Sequence, residues 1–214
     1  MKKFSLIAII ALLLSTFSAQ AQDNLIPMEN TEGFYDKEIS RLLIPSDMEF
    51  GMLCKPSFSA ESSLTYNPEA HALVYIMADN SIWSRTYRAT HHLEKNEKKS
   101  NSWVYNELTN YHAPGTQMYI LPISDEMAQD LKKLWKAAIK DAKPRIQNVL
   151  DGTGWEYFIN GKRAKIQGDD KGGKGKVGDL INLTIELREA VRNHDAPKLE
   201  ALHTKVKELY QKFK

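Results

Sequence analysis

Six histidines, one cysteine and several carboxylates are the side chains of this 214-residue chain that could support metal binding or catalysis. Zinc takes three or four ligands and favours a rigid local pair, such as the two histidines of HExxH. No such pair occurs, and the adjacent His91 and His92 would point to opposite faces of a strand. We therefore predict neither a metal nor a cofactor. The alternative is a metal group of His91, His92 and His112, with His71 and Glu61 or Glu94 in reach.

Cys54 is the candidate nucleophile, because a histidine such as His112 beside it would favour the reactive thiolate. Its neighbours Leu53 and Lys55 provide neither a glycine-rich turn nor a helix start to stabilise that thiolate. We predict a buried strand cysteine and no catalytic residues. The alternative is a hydrolase that uses Glu61 with the group of His91, His92 and His112, or Cys54 with one of those histidines. Paired acids are candidates only by elimination: Glu61, Glu107, Asp151 and Glu156.

Residues 168–178 contain two patterns that are typical of nucleotide-binding loops. Residues 173–178 match GxGxxG, and residues 168–174 match GxxxxGK. Gly175 stands where a P-loop needs serine or threonine, and the preceding strand belongs to a predicted hairpin rather than a βαβ unit. The segment is therefore predicted to be a polar Gly/Lys/Asp loop without a nucleotide.

Aromatic residues supply the most plausible binding surface, because exposed rings commonly contact sugars and peptides. We predict ligand contacts at Trp83, Tyr87, Trp103 and Tyr105. The alternative is that these rings fill the layer between a sheet and its helices.

The first 21 residues have the pattern of a secretory signal peptide. Lys2 and Lys3 precede an apolar run over residues 4–14, and Ala19 and Ala21 supply the small residues of a cleavage site. We expect cleavage near Ala21, a periplasmic or secreted mature chain, and no membrane span in it. The signal holds two of the 29 basic residues and none of the 27 acidic ones, so its removal leaves a net charge of about zero. This balance argues against a nucleic-acid partner.

Periodicity and turn residues predict an α+β fold, in which an antiparallel sheet of five or six strands is packed by one central helix. Strands are predicted at 50–54, 63–66, 72–77, 82–90, 117–123, 155–159 and 162–166, and 102–111 could pair back onto the sheet. Ser124 caps the central helix, and Asn160 with Gly161 forms the tightest hairpin turn. Two terminal helices form a hairpin, with Asp195 and Pro197 at the start of the second.

The predicted organisation is a polar leading segment (22–45), which we expect to be a mobile arm or a docking strap, with one short helix at 34–43. An α+β core (46–167), the loop (168–178) and the helical hairpin (179–214) follow. The single cysteine excludes an intramolecular disulfide bond, so the core must supply the stability.

Several short patterns together resemble small secreted proteins of Bacteroidetes-type bacteria. They are residues 55–58 with Glu61, Leu64 and Tyr66, residues 81–83, residues 134–138, and residues 150–153 before Tyr157 and Phe158. The resemblance implies a bacterial periplasmic or secreted setting and brings no catalytic residues with it.

Because no enzyme motif fits its context, we expect a non-enzymatic protein that binds another protein, a peptide or a glycan, as an inhibitor or accessory subunit. The alternatives are an envelope hydrolase acting on peptidoglycan, peptide or glycan, and a structural envelope protein. The oligomeric state is left open.

Overall fold

The computed structural model of the chain describes residues 24–28, 33–87, 111–144, 152–168 and 172–214. The predicted signal peptide lies outside this part of the chain. Within it, seven strands form one antiparallel sheet in the order β1-β7-β6-β2-β3-β4-β5. The strands are β1 (Ile26–Met28), β2 (Phe50–Pro56), β3 (Ser62–Asn67), β4 (Ala72–Ala78), β5 (Thr116–Pro122), β6 (Thr153–Ile159) and β7 (Lys162–Gly168).

Five helical segments of the described chain pack on the two faces of this sheet. They are α1 (Phe34–Leu43), α2 (82–87), α3 (Asp125–Lys140), α4 (Lys176–Arg192) and α5 (Ala196–Lys212). We call the face under α3, α4 and α5 the front face, and the face that carries α1 and α2 the back face. None of the described helices is both long enough and apolar enough to cross a membrane.

The front core is the larger of the two apolar cores, because three helices cover it. α3 lies over β2, β6 and β7, α4 lies over β4 and β5, and α5 packs on both α3 and α4. The indole Nε1 of Trp135 donates to the carbonyl oxygen of Gly51 at 2.9 Å. Position 51 requires glycine for a separate reason, because a Cβ atom there would lie only 2.7 Å from the carbonyl oxygen of Leu64.

The back core uses the alternate residues of the same strands. Leu53 of β2 and Ile76 of β4 point away from the front helices and pack with Ile39 and Leu43 of α1 and Ile82 of α2. The two-residue alternation of strand side chains therefore divides the apolar residues between two cores.

The predicted α+β class and the C-terminal helical hairpin are confirmed, although the sheet has seven strands rather than five or six. The predicted helix caps are confirmed at Ser124, which accepts from Met127 N, and at Asp195. Asn160 and Gly161 have the positive φ angles that their tight turn needs.

The predicted strand over 82–90 is wrong for residues 82–87, which are helical. Ser81 Oγ accepts from Ser84 N at 3.1 Å, and the Glu61 carboxylate accepts from Ile82 N. These two acceptors satisfy N–H groups at the start of the helix. The two-residue alternation over residues 82–90 does not reveal them. Residues 88–90, and 102–110 of the predicted pairing strand, lie outside the described residues.

The polar leading segment contributes to one edge of the sheet and to both cores. Leu25 is fully buried in the front core, β1 pairs with β7, and α1 covers the back face. The predicted Gly/Lys/Asp loop overlaps regular structure at both ends, because β7 includes Gly168 and α4 begins at Lys176.

Candidate functional site

A cleft of about 550 Å³ opens on the back face where β2 ends. Residues of β2, β6 and β7, among them Trp155 and Ile166 of the front core, line it together with residues of α1 and α2, and the bend after β2 contributes to its rim. The lining residues include Met28, Tyr35, Asp36, Lys55, Phe58, Trp83, Gly154, Glu156, Lys165 and Gln167.

A charged cluster forms the floor of the cleft. Lys55 Nζ lies 3.1 Å from Asp36 Oδ1 and 2.7 Å from Glu156 Oε2, and Arg163 forms a second ion pair with Glu156. The Glu156 side chain is only 3% exposed, and those of Lys55 and Arg163 are 16% exposed. Each of these charges has an opposite charge beside it, which is what allows them to be buried.

Glu61, the acid of the alternative hydrolase, is fully buried behind this cluster. Its carboxylate accepts hydrogen bonds from Ile82 N at 2.7 Å, Trp83 N at 2.8 Å and Tyr35 Oη at 3.0 Å. These three donors hold the start of α2 and the ring of Tyr35 in place. Glu61 therefore positions the aromatic wall of the cleft and presents no oxygen to solvent.

Tyr35 connects the charged floor to the aromatic wall. Burial, followed by the carboxylate of Glu61, raises the pKa of Tyr35 far above its usual range, so the phenol keeps its proton. Its ring meets Trp83 edge to face, with centroids 5.1 Å apart, and lies 5.7 Å from Lys55 Nζ. Tyr35 is thus a fixed hydrogen-bond donor rather than an acid or base at neutral pH.

Two of the predicted ligand-binding aromatics, Trp83 and Tyr87, lie on α2. They are 45% and 41% exposed, and their ring centroids are 5.5 Å apart. Trp83 lines the cleft, and Phe58, which lies on the bend after β2 and is 85% exposed, adds a second exposed ring to its rim. Trp103 and Tyr105 lie outside the described residues.

The structure does not bring together those residues of the alternative catalytic and metal groups that it describes. Cys54 is buried in the front core, on the opposite face from the bonds of Glu61. His112 is exposed, and its carbonyl oxygen accepts from Arg85 at 3.1 Å. His71 Nδ1 lies 2.7 Å from Asp125 Oδ1 at the start of α3. His91, His92 and Glu94 lie outside the described residues.

One group that the sequence did not suggest could hold a metal ion. Ligand atoms of Glu126, Asp130 and His203 lie within 4.8 Å of one another between α3 and α5. Two lysines already engage the acids, since Lys207 Nζ lies 2.7 Å from Glu126 Oε1 and Lys133 Nζ lies 2.8 Å from Asp130 Oδ1. Both acids therefore already have cationic partners from the chain itself.

Lys55 and Asp36 are site residues that the sequence reasoning missed, and Glu156 was considered only as an acid. A signal was present, because Lys55 and Glu156 are charged positions in otherwise apolar strands. Their pairing depends on β2 lying beside β6, which places Glu156 opposite Leu53 and Gly154 opposite Lys55. Gly154 leaves part of the floor without a side chain.

Comparison of the chain with protein-family models, curated proteins and solved structures gave no match.

Proposed function

We propose that this protein is a non-enzymatic binding module that takes a short peptide segment in the back-face cleft. The observation that carries the proposal is a cleft with exposed aromatic rings at its rim and a fully paired set of charges in its floor. Pockets that bind ligands combine apolar walls with a few placed polar groups in this way.

The pairing of the charges favours binding over catalysis. A general base needs a free lone pair aimed at the substrate, and a nucleophile needs a neighbouring base. Lys55 lies between Asp36 and Glu156, and Glu61 is buried with three donors on its carboxylate. None of these groups is left to transfer a proton.

The arrangement of the rings favours a peptide over a flat sugar stack. The Trp83 ring meets Tyr35 edge to face and is tilted by 36° against the Tyr87 ring. The three rings therefore form a corner, not the flat surface on which a sugar ring would stack. Lys165 and Asp36 place charges of both signs in the lining. An apolar side chain in the corner, with backbone amides over the charged floor, fits this chemistry.

The proposed place of action is outside the bacterial cytoplasm, in the periplasm or the medium, after removal of residues 1–21. The signal-peptide pattern and the resemblance to secreted Bacteroidetes-type proteins support this location. The ligand would then be a segment of an extracytoplasmic protein, and the module an inhibitor or accessory subunit.

The test is binding of the protein to an immobilised library of hexapeptides, with an array of peptidoglycan fragments in parallel. Trp83→Ala removes a wall of the cleft, and Gly154→Val fills its floor. A Cβ atom at position 154 would lie 3.5 Å from Lys55, which is an ordinary contact. We expect both variants to lose about tenfold or more of the peptide binding.

The matched control is Met118→Ala, which removes an exposed apolar side chain from β5, away from the cleft. It should bind the selected peptides like the wild type. Equal binding by all four proteins, binding to glycans alone, or cleavage of the peptides would each overturn the proposal. Cleavage that depends on Glu61 would favour the hydrolase.

A further inference from the structure

Arg188 of α4 lies on the front face, at the same end of the sheet as the cleft but on its other side. Its guanidinium carbon lies 5.7 Å from the ring centroid of Tyr75 and 5.5 Å from that of Trp155. Arg188 Nη1 donates one long hydrogen bond, 3.4 Å, to Ser62 Oγ. Two aromatic rings and one hydroxyl group therefore hold a cation between the sheet and the front helices.

No carboxylate of the described residues forms an ion pair with Arg188. By contrast, Arg163 and Arg41 each have an acidic partner, as does Lys55 on the opposite side of the sheet. Arg188 is partly buried, and a partly buried guanidinium ordinarily needs such a partner.

Two buried N–H groups at this position lack an acceptor within the described structure. They are Arg188 Nε and Trp155 Nε1, and Trp155 is only 1% exposed. Other buried aromatic donors of the same core are satisfied. Trp135 Nε1 donates to Gly51 O at 2.9 Å, and Tyr157 Oη lies 3.2 Å from Thr184 Oγ1.

The two unsatisfied groups are both donors, and leaving a buried donor without an acceptor costs about 1–3 kcal/mol. Arg188 Cζ lies 5.5 Å from the Trp155 ring centroid, so the two residues are neighbours, and both donor atoms are covered by protein. One small acceptor that enters between them would satisfy both. An acceptor that carries a negative charge would also neutralise the guanidinium.

We propose that Arg188 and Trp155 form a binding site for a carboxylate. A carboxylate is planar, carries one negative charge and matches the planar fork of a guanidinium, with one oxygen left for the indole N–H. A phosphate carries up to two charges and would call for more than the single cation that the site provides. Trp155 also lines the back-face cleft, whereas Arg188 does not, so variants of Arg188 test this site separately from the cleft.

The test is a titration of the ¹⁵N-labelled protein with sodium acetate, followed by the indole N–H resonances in two-dimensional NMR spectra. Trp155→Phe identifies the Trp155 signal. We expect a saturable shift of that signal with a Kd of about 1 mM or tighter. The Trp135 signal is the internal control, because its N–H already has an acceptor, and acetamide is the neutral control probe.

Arg188→Met should abolish the shift, and Arg188→Lys should weaken it, because an ammonium group keeps the charge but lacks the planar fork. Both variants keep the Trp155 reporter, so a preserved spectrum shows that they fold. N-acetylglycine and glucuronate then separate the two natural sources of a carboxylate, a peptide C-terminus and a sugar acid.

Three results would overturn the proposal. The first is a Trp155 signal that does not saturate with acetate. The second is an equal response in Arg188→Met, and the third is a response to inorganic phosphate that exceeds the response to acetate.

Discussion

Lys55 and Arg188 are two cations at the same end of one sheet, and they differ in what surrounds them. Lys55, on the back face, lies between the carboxylates of Asp36 and Glu156. Arg188, on the front face, lies over two aromatic rings and has no acidic partner among the described residues. The first cation is neutralised by the protein itself, whereas the second leaves donors that a ligand could satisfy.

The difference separates a structural role from a binding role. Removing one partner of a buried ion pair is destabilising, because it leaves the other charge buried and unpaired. A cation without an acidic partner contributes less to the folded state and keeps its hydrogen-bonding capacity for another molecule. The same substitution at the two positions should therefore have unequal effects.

Lys55→Met should show the largest effect. It leaves Glu156, whose side chain is 3% exposed, with Arg163 alone, and we expect the free energy of unfolding in urea to fall by about 3 kcal/mol. The control is Lys205→Met, which breaks an exposed pair with Glu186 and should cost less than about 1 kcal/mol. Equal losses in the two variants would mean that the Lys55 cluster has no special structural role.

Glu61→Gln tests the back face in a second way. The amide retains one acceptor oxygen but turns an NH₂ group toward donors that now bond the carboxylate, so we expect a loss of about 2 kcal/mol in the same urea measurement. Glu69→Gln, in an exposed turn, is the matched control and should leave the unfolding curve in place. A Glu61 variant as stable as this control would contradict the capping role.

Arg188→Met should change the free energy of unfolding by less than about 1 kcal/mol. The variant loses two cation–π contacts, each worth about 0.5–1 kcal/mol, but it also removes one buried donor without an acceptor. Lys55→Met, the same substitution on the opposite face, is its reference. A loss at Arg188 as large as the loss at Lys55 would erase the distinction between the two cations.

At neutral pH Tyr111→Phe should give the smallest effect, because its difference from the wild type is confined to alkaline solution. Burial and the carboxylate of Glu38 raise the pKa of Tyr111 from 10.0 to about 12. The unfolded chain then releases this proton at lower pH than the folded protein, so the stabilisation is complete below pH 10 and is lost as the pH rises toward about 12. Wild-type stability should fall more steeply than that of Tyr111→Phe within this window. The free energies of unfolding of the two proteins below pH 10 serve as the reference. If the two stability curves stay parallel within the alkaline window, the prediction is wrong.

Elements whose signals are local could be predicted from the sequence. α3 has an apolar face at helical spacing and a serine cap at Ser124, and the β6–β7 hairpin has Asn160 and Gly161 at its turn. β1 has only three residues, and its partner β7 lies far along the chain, so periodicity could not detect it. α2 begins where it does because Glu61, 21 residues earlier than Ile82, accepts from its first N–H group.

The same distinction applies to the candidate site. The exposed aromatic residues Trp83 and Tyr87 were recognisable from residue type, although their helical setting was not. The pairing of Lys55 with Glu156, and the place of Arg188 over Trp155, depend on contacts between residues that lie far apart in the chain. Neither the composition nor the local spacing of residues indicates such contacts.

The pairing of β2 with β6 has a further consequence, for the order in which the protein acquires its sites. β2 to β5 form a meander of neighbouring strands and β6 with β7 forms a hairpin, so the β2–β6 ladder joins two halves from distant parts of the chain. Closing such a long loop carries a large entropic cost. Lys55 and Glu156 form an ion pair diagonally across this seam, and Arg188 covers its front side with Trp155. Neither half alone contains the charged floor of the cleft, so ligand binding in the cleft reports on the formation of the β2–β6 ladder.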